Sequence, residues 1–88
     1  MMWMAGYMAR VIDGVEMNLI GKNIRKLRKE NNMSQKELSI KLELLGVYVC
    51  RGSISRIEDM SRSVTDIELL AFAKVFGVTT DELFCQKG

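Results

Sequence analysis

Apolar residues recur along this chain at helical spacing, in blocks separated by short polar turns. Ile20, Ile24 and Leu27 stand at i, i+4 and i+7, which predicts an amphipathic helix over 19–31 with that stripe buried. Ser34 followed three residues later by Glu37 can close a capping box, so a second helix begins at Gln35. Leu38 and Leu42 mark its inner face, while Ile40 and Leu45 have no clear place in the pattern. Gly46 suits a C-terminal cap, ending this helix near Leu44 or Leu45. The apolar run Val47-Tyr48-Val49-Cys50 then reads as a connector packed against the edge of the core, with a contact surface for a second subunit as its alternative.

A third helix over 52–60 turns Ile54 and Ile57 inward. A period of 3.6 then sends Gly52, Arg56 and Asp59 to the opposite face, with Ser55 at its margin. Glu58 is close in phase to Ile54 and is expected to serve structure. Thr65 and Glu68 form another box, and Leu69, Phe72, Ala73 and Phe76 follow at i, i+3, i+4 and i+7. Gly77 ends that helix, and a third box, Thr79 with Glu82, opens a last short one carrying Leu83 and Phe84. Phe72, Phe76 and Phe84 are expected in the core. Nothing alternates like the strands of an RNA-binding sheet. The expected fold is all-α with five helices.

A chain of 88 residues allows one small domain. No apolar run approaches the roughly 18 residues of a membrane span. The net charge of +2 is too small to establish a nucleic-acid partner, so the distribution of charge matters more. Lys22, Arg25, Lys26, Arg28 and Lys29 crowd into the first helix, where most form a solvated face. Arg51, Arg56 and Arg62 lie on or beside the third. The absence of histidine removes the commonest general base and metal ligand. Cys50 and Cys85 can neither build a zinc site alone nor form a close-spaced redox motif, and both are expected reduced. No metal, cofactor or catalytic centre is expected.

The first sixteen residues differ from the rest. Met1, Met2, Met4 and Met8 crowd with Trp3 and Tyr7, and Gly6 and Gly14 interrupt any helical pattern. No basic residue precedes the apolar stretch, so it does not read as a secretory signal. The expected organisation is a disordered or weakly ordered extension over 1–17, a domain over 18–85 and a tail over 86–88, with Met17 a candidate initiator and the cytoplasm the expected location.

Ser34-Gln35-Lys36-Glu37-Leu38 followed by Ile54-Ser55-Arg56-Ile57-Glu58, then by Leu69-Leu70-Ala71-Phe72-Ala73-Lys74 and Val78-Thr79-Thr80-Asp81-Glu82-Leu83-Phe84, resembles the helix-turn-helix DNA-binding domains of phage-repressor and Cro type. The resemblance covers about residues 19–84 and implies a five-helix lambda-repressor-like fold. It also implies roles. Gln35 matches a residue at the start of the second helix that touches phosphate and braces the reading helix. Arg51, Gly52, Ser53 and Arg56 match positions that read bases, with Ser55 beside them. Arg62, in the following loop, is placed for phosphate. The chain departs from the pattern twice. Roughly five residues are inserted after the second helix. Asp59-Met60-Ser61 replaces the glycine turn that usually follows the third, so a differently built turn is expected.

The implied function is sequence-specific binding of duplex DNA through the major groove, as a homodimer on half-sites, with repression by promoter occupancy and no reaction. The alternative is a protein-interaction module, such as an antitoxin or a partner of a larger regulator. It would use residues 47–49 and the N-terminal segment as its surface.

Overall fold

The computed structural model describes residues 17–85. They form five α-helices: α1 Gly21–Glu30, α2 Gln35–Leu44, α3 Arg51–Glu58, α4 Asp66–Phe76 and α5 Thr80–Phe84. The extension and tail expected at the two ends lie outside the described residues, apart from Met17. α3 packs on both α1 and α2, α4 closes over α1 and α2 and carries α5, and α1 also meets α5. Ile20, Ile24, Leu38, Leu42, Val49, Ile54, Ile57, Phe72 and Leu83 are sealed between them.

Local chemistry sets the boundaries. All three capping boxes form, at Ser34–Glu37, Thr65–Glu68 and Thr79–Glu82, each with hydrogen bonds in both directions. α1 starts two residues later than its apolar pattern suggests. The Asn18 side-chain oxygen accepts from the amides of Ile20 (3.0 Å) and Gly21 (2.7 Å), which holds the chain in a turn ahead of the helix. Gly46 is left-handed, with φ 84°, and its amide and that of Val47 return to Glu43 and Leu42.

The turn after α3 corrects the expectation of a different construction. It has the same left-handed geometry, with Met60 at φ 62° where glycine would be at ease. Met60 N–H donates to Ile57 O (2.9 Å) and Ser61 N–H to Arg56 O (2.9 Å), as in a glycine cap. A non-glycine residue loses about 1–2 kcal/mol in this conformation. The surroundings offset that: Met17 N–H donates to Met60 O (2.8 Å), and Asn18 Nδ2 donates to Ile57 O (3.0 Å) and Arg62 O (2.8 Å).

Phe84 and Arg28 are placed otherwise than the sequence suggests, and Ile40 and Leu45, which it left unplaced, are now located. Phe84 is 48% exposed, because the short α5 presents one inward face and Leu83 takes it. Ile40 and Leu45 are both exposed. Arg28 is buried rather than solvated, drawn inward by a carboxylate on α3. The connector keeps the packing role expected of it, since Val49 is buried and Val47 is packed on the core. Cys50 and Cys85 are unpaired.

Gly21 is required by contact, not by backbone conformation. A Cβ there would overlap the Ile57 carbonyl oxygen, and Met60 Cγ stands 2.8 Å from the same point. Gly21→Ala is therefore expected to force α1 from α3 and cost about 1–3 kcal/mol in urea unfolding; an unchanged midpoint would contradict this contact. The loop after α3 is latched by Arg62, whose Nη1 and Nη2 each donate to Glu68 at 2.9 Å. The Arg62 guanidinium, with the Thr65 amide, holds the Glu68 carboxyl below its ordinary value. That stabilisation is present above the unfolded carboxyl pKa of about 4.3 and is lost as pH falls through the lower folded value. The stability gap between wild type and Glu68→Gln is expected to be constant near neutrality and to shrink in acid, as read from unfolding midpoints between pH 2 and 7.

Candidate nucleic-acid interface

α3 divides its circumference sharply. Ile54, Ile57 and Glu58 are buried, whereas Arg51, Gly52, Arg56 and Asp59 are exposed, with Ser53 and Ser55 half-buried between them. Arg56 reaches back along the helix, so that Nη2 lies 3.5 Å from Ser53 Oγ. Its Nη1 lies 3.9 Å from where a Gly52 Cβ would stand, so the guanidinium lies over the helix backbone at Gly52. The result is a cationic surface at the N-terminal half of α3, formed by Arg56 lying over Gly52 and Ser53, with Arg51 exposed as the first residue of the helix.

Cys50 is the N-cap of α3, and its thiol donates to Ser53 Oγ at 3.4 Å. Ser53, through its hydroxyl first and then its amide, holds the thiol below its usual range. The N-terminus of α3 thus combines backbone N–H groups, a positive dipole end and two arginines, a combination suited to an anionic partner.

The aim of this surface is fixed from behind. Glu58 Oε2 accepts from Arg28 Nε (2.6 Å), and Oε1 accepts from Arg28 Nη2 and from Gln35 Nε2, both at 3.1 Å. Arg28 Nη1 donates to Met33 O at 2.8 Å. One carboxylate on α3 therefore ties down α1, the α1–α2 turn and the first residue of α2. Gln35 is brought to α3 as expected, with one amide hydrogen engaged by Glu58. Its neighbours Ser34, Lys36 and Glu37 are exposed.

Arg62 is placed differently from the other candidates. It lies in the loop beyond α3, but its guanidinium turns toward α4, where Glu68 and the Ser63 carbonyl hold it. Its two remaining N–H groups are not used in those bonds. The structure thus brings Arg51, Gly52, Ser53, Ser55 and Arg56 to one surface and Gln35 behind its edge, with Arg62 held on the loop.

Sequence reasoning missed several residues that support this surface. Arg28 lies at i+4 from Ile24, a phase that marked it for the inner face. Asn18, just ahead of a helix, carried the composition of a cap. Ser39 donates to Val49 O (2.6 Å), and Asn23 donates to Leu83 O (2.8 Å) and Cys85 O (2.9 Å). Nothing local in the sequence marked either one.

No three His, Cys, Asp or Glu residues among the described ones are grouped to hold a metal ion. No helix among them is long and apolar enough to cross a membrane. The helix-turn-helix family model matches residues 24–83, from the buried Ile24 of α1 to the buried Leu83 of α5. No curated protein and no solved structure matches the chain. The match includes the Arg28, Gln35 and Ser39 contacts that hold α3 and its approach, and the family is one of DNA-binding domains rather than enzymes. The chain belongs to the helix-turn-helix family of Cro/C1 type, and its domain is a DNA-binding one.

Proposed function

We propose that this domain reads a specific duplex sequence by placing α3 in the major groove, and that it represses transcription by occupying a promoter. The observation that supports this most is the division of α3, with arginines on an exposed face and a reverse side locked to two other helices. Arg56 and Arg51 each carry the paired donors that match guanine O6 and N7. Ser53 and Ser55 offer hydroxyls at the edge of that face, and Gly52 permits close approach. Gln35 sits at the start of α2 with a second amide hydrogen for phosphate. Arg62 adds a phosphate contact through the N–H groups that Glu68 leaves over.

A single reading helix gives a small interface, so two copies on paired half-sites would act together. The protein would do this in the cytoplasm, without a cofactor.

A second reading, a protein-binding module such as an antitoxin or a partner of a larger regulator, draws on one observation. Leu45, Val47, Ile67 and Leu70 line a surface groove between the connector and α4, and Leu45, Ile67 and Leu70 are exposed. A stable complex with another protein, without DNA binding at moderate salt, would favour that reading.

Selection of bound sequences from random duplex DNA tests the first reading, with a palindromic consensus expected. On the selected duplex, Arg56→Ala is expected to cost about 1–3 kcal/mol and to flatten preference at one base pair per half-site, with an unchanged melting temperature. Equal losses on selected and random duplex would make Arg56 a phosphate contact. The logarithm of affinity is also expected to fall linearly with the logarithm of salt, by about 0.9 for each phosphate neutralised. Gln35→Ala, which removes a neutral side chain, is expected to weaken binding without changing that slope.

A further inference from the structure

We infer that Tyr48 is a further DNA-contacting residue, its phenol hydroxyl bonding a backbone phosphate at the rim of the groove that α3 enters; this rests on the DNA-binding reading above. Tyr48 is 73% exposed although it stands between two apolar residues that face the core. The alternation explains its direction. Val49 is buried at 2% exposure and Val47 packs on the same core, so an extended connector turns the residue between them outward.

The backbone that carries Tyr48 is fixed on both sides. Val47 N–H donates to Leu42 O at 3.0 Å, and Val49 O accepts from Ser39 Oγ at 2.6 Å. The backbone that presents the ring therefore has little freedom to lose on contact.

Position selects the partner. Tyr48 precedes the Cys50 N-cap of α3 by two residues, roughly 7 Å of extended chain. The groove floor is read from the helix itself, through Arg51 and Arg56. With α3 in the groove, a side chain on the connector just ahead of it is carried to the groove's wall, where phosphates lie. Tyrosine hydroxyls are among the groups that bond phosphate oxygens, and a hydrogen bond to a charged acceptor is stronger than a neutral one.

The test compares wild type, Tyr48→Phe, Tyr48→Ala and Arg56→Ala on a duplex selected by the wild-type protein and on a scrambled duplex, by fluorescence anisotropy over a range of salt. Tyr48→Phe is expected to bind both duplexes roughly tenfold more weakly, by the same factor on each. Its salt slope and melting temperature are expected to match wild type, because the lost group is neutral and exposed. Tyr48→Ala is expected to weaken binding at least as much. Wild-type affinity in Tyr48→Phe, with Arg56→Ala impaired, would overturn the inference and leave the reading of α3 intact. A loss confined to the selected duplex would overturn the phosphate assignment in favour of a base. Failure of the wild-type protein to bind any duplex would overturn both.

Discussion

Two charges removed from water lose several kcal/mol of hydration each, and an ion pair recovers this only if its geometry is good and its remaining hydrogen-bonding sites are filled. The Arg28–Glu58 pair meets that condition. The guanidinium meets both carboxylate oxygens, its third nitrogen finds the Met33 carbonyl, and Gln35 takes a further lone pair of Glu58. The side chains are 11% and 3% exposed, so little solvent competes for them. Removing one partner of such a pair leaves an uncompensated buried charge, with a typical cost of about 3–5 kcal/mol. Apolar packing alone would let α3 rotate or slide among similar arrangements. A directional pair sets its angle, and the exposed arginines inherit that angle.

The same logic of contact explains why α1 and α3 lie so close. Gly21 lets the start of α1 rest on the last carbonyls of α3, and Met60 covers the junction. Asn18 then uses its whole carboxamide there, accepting from α1 and donating to the end of α3 and the loop beyond. The C-terminal end of α3 is thereby as firmly held as its middle. Its N-terminal end is held by Ser39 through Val49.

Features set by near neighbours were legible in the sequence, and those set by distant partners were not. The three capping boxes and the Gly46 turn depend on residues a few positions apart, and each formed where the spacing placed it. The inward phase of Ile54, Ile57 and Glu58 likewise followed from periodicity alone. Arg28 was grouped with the solvated charges of the first helix although its phase with Ile24 pointed inward, because the carboxylate that compensates its burial lies thirty residues away. Phe84 was read as core because an aromatic beside Leu83 looks apolar from either side, yet a helix of one turn has room for a single inward residue. The left-handed Met60 was hidden for another reason. Its conformation is imposed by Met17, Asn18 and α1, and its own preference argues against it. For the surface of α3, the identity of the residues was legible; the fold of Arg56 back over Gly52, and the capture of Arg62 by Glu68, were not.

The lengthened joint between α2 and α3 has a consequence of its own. It is pinned at Leu42 on one side and at Ser39 on the other, both on α2, and neither pin depends on the number of residues between them. The entropic cost of a longer loop grows only with the logarithm of its length. A change in the number of residues here therefore alters the profile of this edge while α3 keeps its bearing. The shape of that edge and the angle of α3 are thus set by separate contacts, the one by the residues between the pins and the other by Glu58.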